Sequence, residues 1–110
     1  MKNPTQALKN PIFHWLPKHL QHITENIVIQ KRNVSFLAIN ALFRQKHTHI
    51  VNVSTKENGH FVVEDYVQVQ KNDLLRTHPE NLKAIFYLDD RNNIIVITAY
   101  SENDEDYRKY

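Results

Sequence analysis

The chain has 110 residues, enough for one domain around a single hydrophobic core, so we treat residues 1–110 as one domain. It contains no cysteine, no apolar run of membrane-spanning length and no secretory signal, which excludes disulfides, thiolate chemistry and a membrane span and predicts a cytoplasmic location. The net charge is only +2, but residues 1–56 carry a balance of +7 and residues 57–110 a balance of −5.

The N-terminal part predicts an irregular start, a helix and a short strand. Pro4 and Pro11 disfavour a long helix within residues 1–13. From residue 16 to 25, apolar side chains recur at helical spacing, which predicts the first helix. Residues 26–30 are rich in β-branched side chains and predict a short strand.

The second predicted helix has the sequence VSFLAINALFRQK, and either Asn33 or Ser35 can cap it. Apolar residues occupy two of its faces, which is typical of a buried helix. We expect it to form the centre of the core. Arg44 and Lys46 stand near its C-terminus, where the helix dipole favours cations.

From residue 48 the hydrophobic period changes to two, which predicts strands. The segments THIVNVST and HFVVEDYVQVQ flank the turn signal KENG at residues 56–59 and predict a hairpin. Asp65 falls on the apolar face of the second strand, which predicts a bulge or bend there.

Residues 72–83 predict one or two short helical turns. The segments AIFYLD and NIIVITAY, joined by DRNN, predict a second hairpin. The polar residues 101–110 predict a frayed tail. Together the elements predict an α+β domain in which two N-terminal helices pack on one face of a four- to five-stranded antiparallel sheet.

The seven histidines are candidates for metal binding. His47 and His49 stand one residue apart at the start of a predicted strand, so their rings share a face and can supply two imidazole ligands. A third ligand would come from His19, His22 or an acidic residue. The spacing matches no zinc motif, and ordinary hydrogen-bonded side chains are the simpler interpretation, so we expect no metal and no cofactor.

A second interpretation is metal-independent cleavage of RNA, which needs a proton acceptor, a proton donor and a cation for the phosphate. Histidine suits both proton roles because its pKa of about 6.5 lies near working pH. Arginine and lysine suit the third role. The candidate catalytic residues are His19, His22, His47, His49, Lys46 and Thr98, with His60 as a further imidazole and Arg32, Arg44 and Tyr100 as substrate-binding residues.

Two short segments support this interpretation by resemblance. HLQHI at 19–23 and VITAY at 96–100 resemble the helical histidine and the final Ser- or Thr-bearing strand of the barnase- and colicin-type ribonuclease toxin superfamily, which includes phage-borne and contact-dependent toxin domains. The resemblance implies a small toxin-like ribonuclease. It implies His22 as the acid–base group, Lys46 or Arg44 as the phosphate-binding cation, and Thr98 as a hydroxyl that positions the substrate.

A third interpretation is a non-catalytic protein-binding module, such as an inhibitor, an immunity protein or an anti-defence protein. The acidic second half can pair with a basic partner, and the strand HFVVEDYVQVQ can pair with a second copy through its edge. The basic first half instead suits RNA or an acidic protein, unless the two halves attract each other. An enzyme requires at least two histidines to meet a lysine or arginine in one cleft, whereas a binding module leaves them scattered.

Overall fold

The computed structural model describes residues 3–46, 48–52, 59–70, 77–105 and 107. These residues form three helices followed by four strands, an α+β fold as the sequence predicted. The helices are α1 (Pro4–Lys9), α2 (Pro17–Val28) and α3 (Phe36–Arg44), and the strands are β1 (His49–Asn52), β2 (Phe61–Gln70), β3 (Thr77–Leu88) and β4 (Ile94–Ser101).

The four strands form one antiparallel sheet in the order β1-β2-β3-β4, so each strand pairs with its neighbour in sequence. The register shifts between Ile85 and Phe86, because Ile85 pairs with Thr98 whereas Phe86 pairs with Val96. The bulge therefore lies in the β3–β4 hairpin. Asp65, where the sequence predicted a bulge, pairs regularly with Leu82.

The helix face of the sheet, which faces α3, carries the main core. Ile39, Leu42 and Phe43 of α3 are fully buried, and the Phe43 ring meets the Phe86 ring edge-on with centroids 5.2 Å apart. The strands contribute Val63, Val67, Leu82, Ala84, Phe86, Leu88, Ile94, Val96 and Ala99 to the same cluster. This confirms α3 as the centre of the core.

The far face, which points away from α3, carries a second, smaller cluster. Val62, Ile85 and Tyr100 are buried there, and Ile97 and Tyr107 pack against them. The alternation of side chains along β2, β3 and β4 produces both clusters.

Helix α2 packs against β4, at one edge of the sheet. Its side chains reach both faces: Ile23 belongs to the main core, whereas His19 contacts Tyr87 on the far face. Next to it, Phe13 forms a parallel bridge with Ile94 of the same strand.

Two helical regions differ from the sequence predictions. Residues 4–9, expected to be irregular, form α1, because Pro4 opens the helix and the side chain of Asn3 accepts a hydrogen bond from the Gln6 backbone N–H at 3.2 Å. The strand predicted at 26–30 is wrong, since α2 continues to Val28. Val28 and Ile29, which suggested a strand, are largely exposed, and the residue that the fold buries is Asn26.

The second half holds two further differences. The helical turns predicted at 72–83 are wrong over residues 77–83, which belong to β3; residues 72–76 lie outside the described residues. Part of the tail predicted to be frayed at 101–110 is held, because the side chains of Ser101, Asp104 and Tyr107 contact the body of the domain; residues 106 and 108–110 lie outside the described part of the chain.

Both predicted hairpin pairings are present. β1 pairs with β2 antiparallel, although residues 56–58 of the predicted turn lie outside the described part of the chain. As a result β2 lies between β1 and β3 over residues 61–64 and offers no free edge there. Within the described residues, no helix has the length and apolar character needed to cross a membrane.

Candidate functional site on the far face

Two imidazoles meet one tyrosine on the far face. The His19 Nε2 atom lies 3.3 Å from the Tyr87 hydroxyl, and the two rings meet edge-on with centroids 5.8 Å apart. The His60 ring stacks on Tyr87 at the same centroid distance, with 21° between the ring planes. We name His19, His60 and Tyr87 the histidine–tyrosine cluster.

Sequence and register explain how this cluster forms. His19, Ile23 and Asn26 recur at i, i+4 and i+7 along α2, so they share the side of the helix that packs against the sheet. His60 directly precedes β2, whose first residue Phe61 pairs with Phe86. The next position in that register places His60 opposite Tyr87.

The electrostatics of the cluster favour the neutral form of His19. Its pKa is lowered, first by burial and then by the positive charges of Lys18, His22 and His60. Burial disfavours the imidazolium, and each neighbouring cation opposes a second one. His22 stands on the more exposed side of α2, and its Nε2 pairs with the Asn26 side-chain amide at 2.9 Å.

A second cluster lies beside the first. The Arg32 guanidinium donates to the Thr98 hydroxyl at 2.9 Å and to the Ala99 carbonyl at 3.3 Å, and it lies 4.2 Å from the centroid of the Tyr100 ring. Lys31 adopts a left-handed backbone with φ 52°, which turns the chain after α2 and directs Arg32 towards the sheet. We name Arg32, Thr98 and Tyr100 the arginine anchor.

The arginine anchor adjoins the histidine–tyrosine cluster. Thr98 pairs with Ile85, and Tyr87 stands two residues further along β3, about 7 Å away along the strand. Thr98 and Tyr100 are almost fully buried, so the exposed part of this region lies nearer to the histidines.

The C-terminal segment covers the remainder of the far face. The Tyr107 hydroxyl donates to the Glu64 carboxylate, which also accepts from the Asn81 amide at 3.2 Å. The Lys83 ammonium donates to the Tyr107 carbonyl at 3.0 Å and lies 4.2 Å from the centroid of the Tyr107 ring. Sequence reasoning missed this group because its members are far apart along the chain.

The other predicted site residues lie away from the clusters. Arg44 ends α3, on the helix face, where its Nε donates to the Asn40 side chain at 2.9 Å. Lys46 follows α3 and is exposed. His49 opens β1 opposite Glu64, about 13 Å along the strand direction from the level of His60. His47 lies outside the described residues.

His60 enters the site although the sequence analysis gave it no assigned role. The feature that could have identified His60 is the pairing of β2 with β3, because that register places residue 60 opposite residue 87. Within the described parts of the chain, no three histidine, cysteine, aspartate or glutamate side chains come close enough to hold a metal ion together.

An apolar groove lies apart from both clusters, between the beginnings of α2 and α3. It has a volume of about 470 Å³ and is lined by Phe13, Trp15, Leu20, Phe36, Leu37 and Asn40.

Comparisons of the chain with models of protein families, with curated proteins and with solved structures found no match. The resemblance to ribonuclease toxins therefore stays a prediction, and the functional argument depends on the geometry of the site.

Proposed function

We propose that the protein cleaves RNA by acid–base chemistry at the histidine–tyrosine cluster. The observation that supports this proposal best is that His19 and His60 flank a single tyrosine, with Lys18 close enough to shift the pKa of His19. The enzyme interpretation requires at least two histidines close to a cation.

The two imidazoles are suited to opposite roles. The lowered pKa of His19 favours its neutral form, which can accept the proton of a ribose 2′-hydroxyl. The 2′-oxygen then attacks the phosphorus and the bond to the 5′-oxygen breaks. Protonated His60 donates its proton to that 5′-oxygen, which leaves a 2′,3′-cyclic phosphate and a free 5′-hydroxyl. A positive charge on His60 is one of the causes that lower the pKa of His19, which suits His19 to the role of proton acceptor.

The surroundings offer groups that can hold the nucleic acid. Lys18 is exposed beside His19 and can neutralise a phosphate. Tyr87 is half-buried, and its ring presents a surface of the kind on which bases stack. Arg32 is engaged with Thr98 and Tyr100, so in this proposal the arginine anchor positions β4 and the chain after α2, and the substrate lies nearer to the histidines.

The proposal moves the proton acceptor from His22 to His19. His22 is exposed and bonds to Asn26 of its own helix, whereas His19 faces the second imidazole across Tyr87. His22 then contributes through its charge, which helps to lower the pKa of His19.

The test is cleavage of a single-stranded RNA oligonucleotide by the purified full chain, with the DNA of the same sequence as a substrate control. We expect cyclic-phosphate products from RNA, detected by mass spectrometry, and none from DNA, which lacks the attacking hydroxyl. His19→Ala and His60→Ala should each lower the rate by about 10²-fold or more, as removal of an acid or base does.

His49→Ala is the matched control, because His49 is an exposed histidine on the same sheet without contact to the cluster. Its cleavage rate should equal that of the unmodified protein, and circular dichroism should show all three variants folded. Absence of cleavage by the unmodified protein, or an equal loss in all three variants, would contradict the proposal.

A further inference from the structure

The groove between α2 and α3 exposes more apolar surface than folding requires. Leu37 is 84% exposed, and Leu20 and Phe36 are each exposed by more than a third. Trp15 lies between them, stacked on Phe13 with centroids 5.6 Å apart and meeting Phe36 edge-on at 5.5 Å. Contiguous apolar surface of this kind marks binding sites on soluble proteins, and leaving it in water costs free energy that a partner would recover.

The groove has the shape of a receptor for a helix. Leu20 stands on α2 and Leu37 on α3, so two helices form its sides and aromatic rings its floor. Both sides of the groove are helices, so the groove offers no sheet edge to which a strand could pair. Recognition there depends on side chains, as when an amphipathic helix inserts its apolar face into a groove.

The charge around the groove selects the partner. Arg44 is exposed and stands seven residues after Leu37, so it lies on the same side of α3. It also donates to Asn40, which lines the groove. A partner with acidic residues beside its apolar face would meet complementary charge, whereas a basic partner would be repelled.

We propose that this groove binds an acidic amphipathic helix of another protein. The partner's large apolar side chains fill the space between Trp15, Leu20 and Leu37, and an acidic residue beside them faces Arg44. The site is separate from the histidine–tyrosine cluster and does not depend on the proposed function.

Trp15 provides a direct readout, because it is the single tryptophan of the chain and it lines the groove. A displayed library of random helix-length peptides is selected on the unmodified protein and counter-selected on Leu37→Glu. We expect the enriched peptides to combine apolar residues at helical spacing with aspartate or glutamate. Each should shift Trp15 fluorescence to shorter wavelength on titration.

Point variants then test the two sources of affinity. Leu37→Glu and Arg44→Glu should each weaken an enriched peptide by about tenfold or more, the first through lost apolar contact and the second through reversed charge. Ile29→Ser is the matched control, because Ile29 is a largely exposed apolar residue that does not line the groove.

Several outcomes would overturn the proposal. The selection could enrich no peptide, or enrich basic peptides. The enriched peptides could bind Leu37→Glu as tightly as the unmodified protein, or they could lose as much affinity with Ile29→Ser as with Leu37→Glu. A concentration-dependent dimer that Leu37→Glu abolishes would assign the groove to a second copy. A Trp15 response to RNA with none to acidic peptides would assign it to nucleic acid.

Discussion

At the scale of single residues, Tyr87 connects two histidines that are far apart in sequence. Its hydroxyl contacts His19 and its ring stacks with His60. Because both imidazoles surround one phenol, a positive charge on one is unfavourable for the other. Each histidine therefore reports on the protonation of its neighbour, which makes the coupling measurable without a substrate.

We expect His60→Ala to raise the pKa of His19 towards the ordinary histidine value of about 6.5, because one of the charges that opposes its protonation is removed. The measurement is a titration of the His19 ring signals by NMR in both proteins. His49→Ala should leave the His19 titration unchanged, and an equal shift in that variant would indicate a general effect of lost histidine charge.

The same shift has a defined sign for stability. A histidine whose pKa is lowered by folding binds protons more readily in the unfolded chain. Its contribution to folding is therefore complete above the ordinary histidine pKa and is lost as the pH falls through the lowered value. Replacing His19 with glutamine should flatten that part of the pH dependence.

At the scale of secondary-structure elements, α3 determines whether the main core forms. The Ser35 hydroxyl caps this helix by accepting a hydrogen bond from the Ala38 N–H at 3.1 Å. The sequence left this cap open between Asn33 and Ser35, and it predicted a helix buried on two apolar faces. The structure has Ser35 as the cap, and Phe36 and Leu37 stay exposed. Because Ile39, Leu42 and Phe43 are fully buried, any fraying at the start of α3 would disturb the core directly.

We expect Ser35→Ala to lower the free energy of unfolding by about 1 kcal/mol, the usual cost of a lost helix cap. Ser35→Asp should retain most of that free energy, because aspartate also accepts the bond and its charge suits a helix N-terminus. Urea denaturation of the three proteins measures both values. Equal destabilisation by alanine and aspartate would contradict the capping role.

Apolar sequence patterns predicted helices and strands correctly where the apolar residues are buried, and wrongly where these residues are exposed. The β3–β4 hairpin follows an apolar pattern, and the structure confirms it. Residues 26–30 also carry an apolar pattern, but Val28 and Ile29 are exposed there and Asn26 is buried. These residues therefore continue α2 to Val28 and do not form a strand. Residues 77–83 look polar, yet they form a strand in which buried Glu80 accepts hydrogen bonds from Ser101 and Asn103.

The candidate site, too, was predicted only in part from the sequence. Sequence reasoning named Arg32, Thr98 and Tyr100, which the fold brings together, and it named His19. It could not select His60 over His49, since that choice depends on a strand register that only the paired sheet provides. Arg44 ends α3 and Lys46 follows it, and both lie away from the cluster, because nearness to a histidine in sequence says little about nearness in space.

At the scale of the whole molecule, the C-terminal segment connects the sheet to the chain after α2. Asp104 accepts hydrogen bonds from the backbone N–H groups of Asn33 at 3.0 Å and of Ser101 at 2.7 Å. Tyr107 then covers Lys83 and Glu64 on the far face. Residues that look like a polar tail therefore contribute to the stability of the domain.

We expect Tyr107→Ala to lower the free energy of unfolding by about 1–3 kcal/mol, because the buried groups that contact the tyrosine lose a hydrogen-bond donor and a ring. Tyr107→Phe keeps the ring over Lys83 and should lose less. The measurement is urea denaturation with far-ultraviolet circular dichroism. A Tyr107→Ala protein as stable as the unmodified one would mean that the segment contributes nothing.

The bridge between Phe13 and Ile94 has a consequence for how the protein is made. The His14 N–H donates to the Ile94 carbonyl at 2.9 Å, and the Ile94 N–H donates to the Ile12 carbonyl at 2.7 Å. On the ribosome, residues 12–14 emerge long before their partner strand has been translated. This bridge therefore cannot form until β4 has left the exit tunnel, so residues 12–14 reach their final place only after about eighty further residues have been added.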